Sequence, residues 1–179
     1  MVLTKMDTGY EVSMRSYIQD ILDLYGKKIK DYVTPAKQNL FTVKTSEPLA
    51  QKLKVTFHSI IAKFLYLGKQ GRPDILLAVQ FLCTRVKQPN NDDLLKLERV
   101  LGYLHLTKNR TQIIDDSPFE GVETYIDVAF LNHPDGKSQS GCMVFLGNKL
   151  VHEACRKQKL VTKSSTEAEL VALSDCIIK

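Results

Sequence analysis

The sequence predicts an α+β (or α/β) chain in two parts, a helical segment over residues 1–108 and, over residues 109–179, three antiparallel strands followed by one helix. Two patterns carry this reading. Apolar residues recur at helical spacing through four stretches of the first part, and beyond Thr107 the period shortens to that of a strand. A third signal is Gly147-Asn148, a pair tolerant of positive φ that separates two apolar runs as a hairpin turn does. At 179 residues, 44% hydrophobic and 25% charged, the chain has the make-up of one ordinary folded domain or two small ones.

The elements follow in order. From Ser13 to Leu24, the apolar residues Tyr17, Ile18, Ile21 and Leu22 share one helical face, with Ser13 or Ser16 as cap and Gly26 just past the end. Lys27 to Leu53, with Thr34-Pro35 and Glu47-Pro48 and little periodicity, reads as an extended connection. A second helix fits Thr56 to Leu67 and is apolar over most of its girth, and Tyr66, Phe64 and the later Phe81 read as core. Arg72-Pro73-Asp74 opens a third helix, because proline is tolerated at the first helical position. Pro89-Asn90-Asn91-Asp92-Asp93 opens a fourth, its acidic residues suiting the positive end of the helix dipole. Val122–Phe130, Gly141–Leu146 and Leu150–Ala154 are the strands. Ser164 and Glu167, at capping-box spacing, start a last helix with Leu170, Leu173 and Ile177 on one face.

Composition excludes several classes. No apolar run approaches the ~20 residues that a membrane-spanning helix needs, and the first twenty residues lack the apolar core of a secretory signal, so an intracellular, non-membrane chain is expected. Cys83, Cys142, Cys155 and Cys176 form no C-x-x-C pair and lie far from the histidines, so free thiols are expected. His58 and His133 have no ligand spacing and read as surface or hydrogen-bonded core. Charge divides unevenly. Residues 1–111 hold 18 Lys and Arg against 10 Asp and Glu, whereas residues 112–179 hold 7 against 10. A basic part beside a mildly acidic one fits a polyanion-tracking segment ahead of a carboxylate site, and fits ordinary solvated helix surface equally well.

The acidic part contains one constellation with chemistry. A strand aspartate, a hairpin and then a helix glutamate can bring two distant carboxylates beside a hard cation such as Mg²⁺, which selects oxygen ligands. Here the pair is Asp127 with Glu167 or Glu169. Both glutamates flank the Leu170, Leu173, Ile177 face by similar angles. Glu167 has a competing duty as the capping partner of Ser164, which favours Glu169. Arg156, Lys157, Lys159 and Lys163, just before that helix, read either as phosphate contacts or as a solvated basic connection.

The strings GYEVSMRSYIQDIL, FHSIIAKFLYLGKQGRPDILLAVQFLCTRVKQP, LERVLGYLHLTKNR, YIDVAF, KSQSGCMVFLGN and RKQKLVTKSSTEAELVALSD occur here in one order across nearly the whole chain. In wording, order and spacing they resemble the Pol polyprotein of copia-type long-terminal-repeat retrotransposons. The resemblance implies that residues 1–108 are the helical, thumb- or connection-like end of a reverse transcriptase, and that residues 109–179 begin a ribonuclease H-like domain. Carried over by position, the family's first nuclease aspartate falls on Asp127 and its helix glutamate on Glu169, both Mg²⁺ ligands. Ala129 stands where many relatives carry a further acidic residue.

The family's Val-Asp-Asp polymerase signature and its third nuclease aspartate are absent from this sequence, and Asp175, on the same helix as Glu169, cannot replace the latter. The expectation is therefore a segment with an incomplete ribonuclease H-like fold, inactive alone, whose first strand is left at a sheet edge. Its expected partners are an RNA–DNA hybrid and the remainder of the polyprotein, in a cytoplasmic particle or the nucleus. A residual Mg²⁺-dependent ribonuclease H and a non-catalytic nucleic-acid-binding remnant are the alternatives.

Overall fold

The computed structural model describes residues 1–116, 118 and 121–177, so the last two residues of the expected second part lie outside the described residues. The chain is mixed α and β. It forms β1 (Val2–Met6), β2 (Gly9–Ser13), α1 (Arg15–Tyr25), α2 (Gln51–Gln70), α3 (Leu76–Cys83), α4 (Asn91–Leu106), β3 (Gln112–Asp115), β4 (Val122–Ala129), β5 (Gln139–Leu146), β6 (Lys149–Lys157) and α5 (Ser165–Ile177). The strands form two three-stranded sheets, in the orders β1-β2-β3 and β4-β5-β6. Two compact units result, Met1–Thr4 with Glu11–Gln112, and Lys5–Tyr10 with Ile113–Lys179.

In the first unit the core is helical. Ile18 and Ile21 of α1, Phe57, Ile60, Phe64 and Leu67 of α2, Val79 and Phe81 of α3, and Leu97, Val100 and Leu101 of α4 are buried in one cluster. Burying each such side chain contributes about 1.5–3 kcal/mol. The helix ends follow local chemistry. Gly26, at φ 65°, closes α1 in the left-handed conformation that a Cβ disfavours. Asn90 opens α4 with a full capping box, its side chain accepting from Asp93 N at 3.0 Å while Asp93 Oδ2 accepts from Asn90 N at 3.0 Å.

The structure differs from the sequence reading at several points in this part. Residues 1–108 are not all helical. Val2–Met6 and Gly9–Ser13 are strands that pair with each other, and the second neighbour of β2, β3, lies far downstream, so local periodicity does not announce the whole sheet. Gly9 permits its close approach, since a Cβ there would stand 2.2 Å from the Ile114 carbonyl oxygen. The N-cap of α1 is Met14, without a side-chain cap, although Ser13 Oγ accepts from Arg15 N at 3.4 Å. α2 begins five residues earlier than its apolar run, at Gln51, because the stripe marks only the packed turns. Phe64 and Phe81 are core, but Tyr66 is 48% exposed and packs its ring on Tyr17 at 5.1 Å.

Arg72-Pro73-Asp74 does start a helix, as a 3-10 turn over Pro73–Ile75 leading into α3. Arg72 is 3% exposed, and its guanidinium bonds Asp74 Oδ1 (3.0 Å), Asp74 Oδ2 (2.8 Å), the Thr107 carbonyl (3.1 Å) and Thr107 Oγ1 (2.7 Å). Tyr103 of α4 donates to the same aspartate at 2.6 Å. Burial pushes the Asp74 carboxyl up, but hydrogen bonds from Arg72 and Tyr103 outweigh it and hold the group below the usual carboxylate range.

In the second unit β5 is central, pairing antiparallel with β4 and with β6, and β4 occupies an edge. Gly147 takes φ 57° in the β5–β6 turn, as its sequence position predicts. α5 packs mainly over β4 and also on β5. Its buried residues are Ala168 and Ala172, whereas Leu170, Leu173 and Ile177 are 62%, 42% and 69% exposed, so the expected apolar face is not the packed one. Small side chains face the sheet because only they let the helix backbone approach closely.

Replacing Arg72 with Ala would strand Asp74 and the Thr107 oxygens. We expect a loss of about 2–4 kcal/mol in urea unfolding followed by helical circular dichroism, somewhat below a fully buried pair because Asp74 keeps a third of its side chain in water. Arg72→Lys, which lacks the planar fork, recovers only part of it. A loss under about 1 kcal/mol would contradict this role.

Candidate functional site

Asp127 lies near the end of β4, opposite Gly141 of β5, and so has no side chain beside it across the strand pair. Alternation places it with Tyr125 and Ala129, while Ile126 and Val128 share the other face. Ile126 pairs with Cys142, and Cys142 is joined by a disulfide to Cys176 of α5, so this second face is the one that carries the helix. Asp127 is exposed.

The true packing face of α5 separates the two glutamates. At ~100° per residue, Glu169 lies about 80° from the midline between Ala168 and Ala172 and Glu167 about 120°. Glu169 therefore flanks the sheet-facing stripe, and Glu167 points away. Glu167 is also engaged at the helix start: its N donates to Ser164 Oγ at 3.1 Å, and its Oε2 accepts from Lys163 N at 2.7 Å rather than from the Ser164 amide. Among the described residues, the side chains of Asp127 and Glu169 have neither a hydrogen bond nor an ion pair, and no group of three or more His, Cys, Asp or Glu is placed to hold a metal ion.

The basic residues are not equivalent. Lys157, at the end of β6, pairs with Asp135 at 2.7 Å and holds that carboxyl below its usual range. Arg156, Lys159 and Lys163 form no ion pair among the described residues. Arg156 lines a small cavity beside Cys142, Asp175 and Cys176.

Two features escaped the sequence reading. The Cys142–Cys176 disulfide corrects the expectation of free thiols for two of the four cysteines, Cys83 and Cys155 remaining free. Packing through Ala168 and Ala172 brings the last turn of α5 over β5, with the two cysteine Cα atoms 6.4 Å apart, and sequence spacing carries no trace of that. The second is Gln158, hidden in a basic string. It is buried, and its Nε2 donates to Ser140 Oγ at 2.9 Å and to the Ala168 carbonyl at 2.8 Å, fixing α5 to β5 and thereby the position of Glu169.

His58 is exposed and His133 is hydrogen-bonded core, as expected. His133 Nε2 donates to Gln139 Oε1 at 2.9 Å, while Gln139 Nε2 donates to Cys155 Sγ at 3.1 Å. Burial holds the imidazole below the usual histidine range, against the opposite pull of the Gln139 bond.

Strand, hairpin and helix thus present two unpaired carboxylates and a short basic run in one unit. Over 179 residues, covering 92% of this chain and 11% of the relative, the sequence is 30% identical to a retrovirus-related Pol polyprotein from transposon RE1 of Arabidopsis thaliana. It is 30% identical over 173 residues to the uncharacterized mitochondrial protein AtMg00810 of the same plant, covering 93% of this chain and 69% of that protein. Identity to the transposon Ty1-JR2 Gag-Pol polyprotein of Saccharomyces cerevisiae is 24% over 180 residues, 96% of this chain and 10% of the relative. The chain belongs to the family of copia-type retrotransposon Pol polyproteins. It spans about a tenth of the length of the Pol relatives. No family model and no solved structure matches it. Among the described residues, no helix is long and apolar enough to cross a membrane.

The buried histidine makes acid sensitivity testable. Above about pH 6.5 His133 is neutral in both the folded and the unfolded chain; as pH falls below that value the unfolded chain takes up the proton first, so folding stability drops until the lower folded value is passed. The urea midpoint of the sheet unit is expected to be lower at pH 5.5 than at pH 7.5, and His133→Gln to reduce that difference. An unchanged difference in the variant would refute the assignment.

Proposed function

We propose that this chain works as a segment of a copia-type Pol polyprotein, joining the helical end of a reverse transcriptase to the start of a ribonuclease H-like domain. Asp127 and Glu169 then contribute two carboxylates to a Mg²⁺ site that acts on the RNA of an RNA–DNA hybrid. What supports this reading is the family's motif order, which puts its strand aspartate at Asp127 and its helix glutamate at Glu169, both with unpartnered side chains; Asp127 stands on the sheet face opposite the one that carries α5, so this chain does not bring the two carboxylates together. Oxygen donors suit a hard cation, and water and substrate phosphate fill the positions that two carboxylates leave open, but the family's site carries a third acidic group and none joins them among the described residues. The chain's own donors thus do not complete the site, and no hydrolytic step is assigned to it. The remaining ligand comes from elsewhere in the polyprotein. Arg156, Lys159 and Lys163 make the phosphate contacts, with Lys157 engaged by Asp135.

With a labelled RNA–DNA hybrid and Mg²⁺, the purified chain is expected to bind without cleaving. Three phosphate contacts at a slope of about −0.9 each predict roughly a 40-fold loss of affinity between ~50 and ~200 mM salt, flattened by joint substitution of Arg156, Lys159 and Lys163 with Ala. Cleavage that disappears in Asp127→Asn would overturn the inactive reading, and salt-insensitive or absent binding would overturn the nucleic-acid reading.

A further inference from the structure

The helical unit contains a cavity of about 210 Å³ that the carboxylate site does not involve. Its floor is the first part of α4, with Asp92, Lys96 and Arg99, and its wall is the connection from Tyr32 to Lys44. Although irregular, this wall is fixed in place. Lys96 Nζ donates to the Thr42 carbonyl at 2.6 Å, Asn90 Nδ2 to the Lys44 carbonyl at 2.9 Å, and Arg99 Nη2 to Thr34 Oγ1 at 2.7 Å. Gly102 of α4 lets the same connection pass close by, since a Cβ there would stand 2.0 Å from the Lys30 carbonyl oxygen.

The charge of the lining is one-sided. Four cations, Lys37, Lys44, Lys96 and Arg99, face a single carboxylate, Asp92, which is already paired with Lys96 at 2.9 Å. Lys37 and Lys44 are exposed and form no ion pair among the described residues. Two atoms of the lining are buried without a hydrogen-bond partner among the described residues, Arg99 Nε and Asp92 Oδ2, and the carboxylate oxygen is offset by Lys96 Nζ at 2.9 Å. A buried charged donor without an acceptor is costly, and an oxyanion is the group that removes the cost. The guanidinium is held in place by the ring of Tyr32, another lining residue, which it stacks over at 4.6 Å. Leu40 and Leu95 add apolar surface beside the cations.

We propose that this cavity is a binding site for a phosphate group, free or carried by a nucleotide or a polynucleotide end, with Arg99 and Lys44 as its principal ligands. A phosphate offers several acceptor oxygens for the orphaned Arg99 donor and the neighbouring ammonium groups at once. Tyr32, Leu40 and Leu95 leave room for the sugar or base attached to it. The inference is independent of the ribonuclease H reading, because it uses residues of the helical unit alone.

The test is titration of the full chain with inorganic pyrophosphate, AMP or a 5′-phosphorylated oligothymidylate, followed by amide chemical shifts at low ionic strength. Saturable shifts at residues 32–44 and 92–99 are expected. The dissociation constant is expected to rise at least about tenfold in Arg99→Gln and severalfold in Lys44→Ala, and to stay unchanged in Lys87→Ala, a surface lysine outside the cavity. Lys44 is exposed, so its variant keeps the test valid should Arg99→Gln fail to fold. Tighter binding of AMP than of pyrophosphate would identify a nucleotide, and tighter binding of the oligonucleotide than of AMP a polynucleotide end. No saturable shift, equal affinity in Lys44→Ala and the parent, or an equal response to glutamate would overturn the proposal.

Discussion

A guanidinium removed from water at the corner between α2 and α3 sets the geometry of the helical unit. Arg72 loses its hydration on folding, a cost of several kcal/mol for an ion, so the fold must supply acceptors in fixed positions. It does so with the Asp74 carboxylate from its own turn and with the carbonyl and hydroxyl of Thr107 at the end of α4. One side chain thereby ties the start of α3 to the last turn of α4. The Tyr103 hydroxyl donates to the same carboxylate and itself accepts from Arg110 at 2.9 Å, drawing the residues after α4 into the network. With that corner fixed, the Asn90 capping box starts α4, and the connection before α2 lies along it at Gly102, forming the wall of the basic cavity.

The sheet unit is held differently. Its only buried apolar side chains among the described residues are Cys142, Ala168 and Ala172, with Val122, Tyr125, Leu160, Leu170 and Ile177 largely in water. So thin an apolar core leaves polar and covalent links to position α5. Gln158 bonds to both Ser140 and the Ala168 carbonyl, and the disulfide joins Cys176 to the central strand. Because Ala168 and Ala172 face the sheet, Glu169 is turned to its flank and Glu167 is left free for the helix start. The side chains that hold the helix thus decide which glutamate flanks the sheet-facing stripe.

What the sequence disclosed followed from how local the cause was. The start of α4 at Asn90–Asp93, the end of α1 at Gly26 and the Gly147 turn are each fixed within a few residues, and their places could be read in advance. The order of the family strings was legible in the same way. The sheet of β1, β2 and β3 depends on a strand distant in sequence, and a short exposed β1 has no alternation against a core to reveal it. The face of α5 was misread because leucines usually mark the buried side of a helix, whereas here close approach to the sheet selected alanines. The cavity at Arg99 was invisible for a related reason. Tyr32, Lys44 and Arg99 belong to stretches without common periodicity and meet only because the connection is fixed along α4.

The proposed shared cation site of Asp127 and Glu169 is open to a direct metal-binding measurement. Paramagnetic broadening by Mn²⁺, a hard cation that takes the same oxygen ligands, tests it most directly. A shared site gives weak broadening of amide signals around Asp127 and around Glu169 over the same Mn²⁺ concentrations, with both effects lost in Asp127→Asn. Broadening at Glu169 that survives Asp127→Asn, or at neither residue in the parent chain, would contradict it.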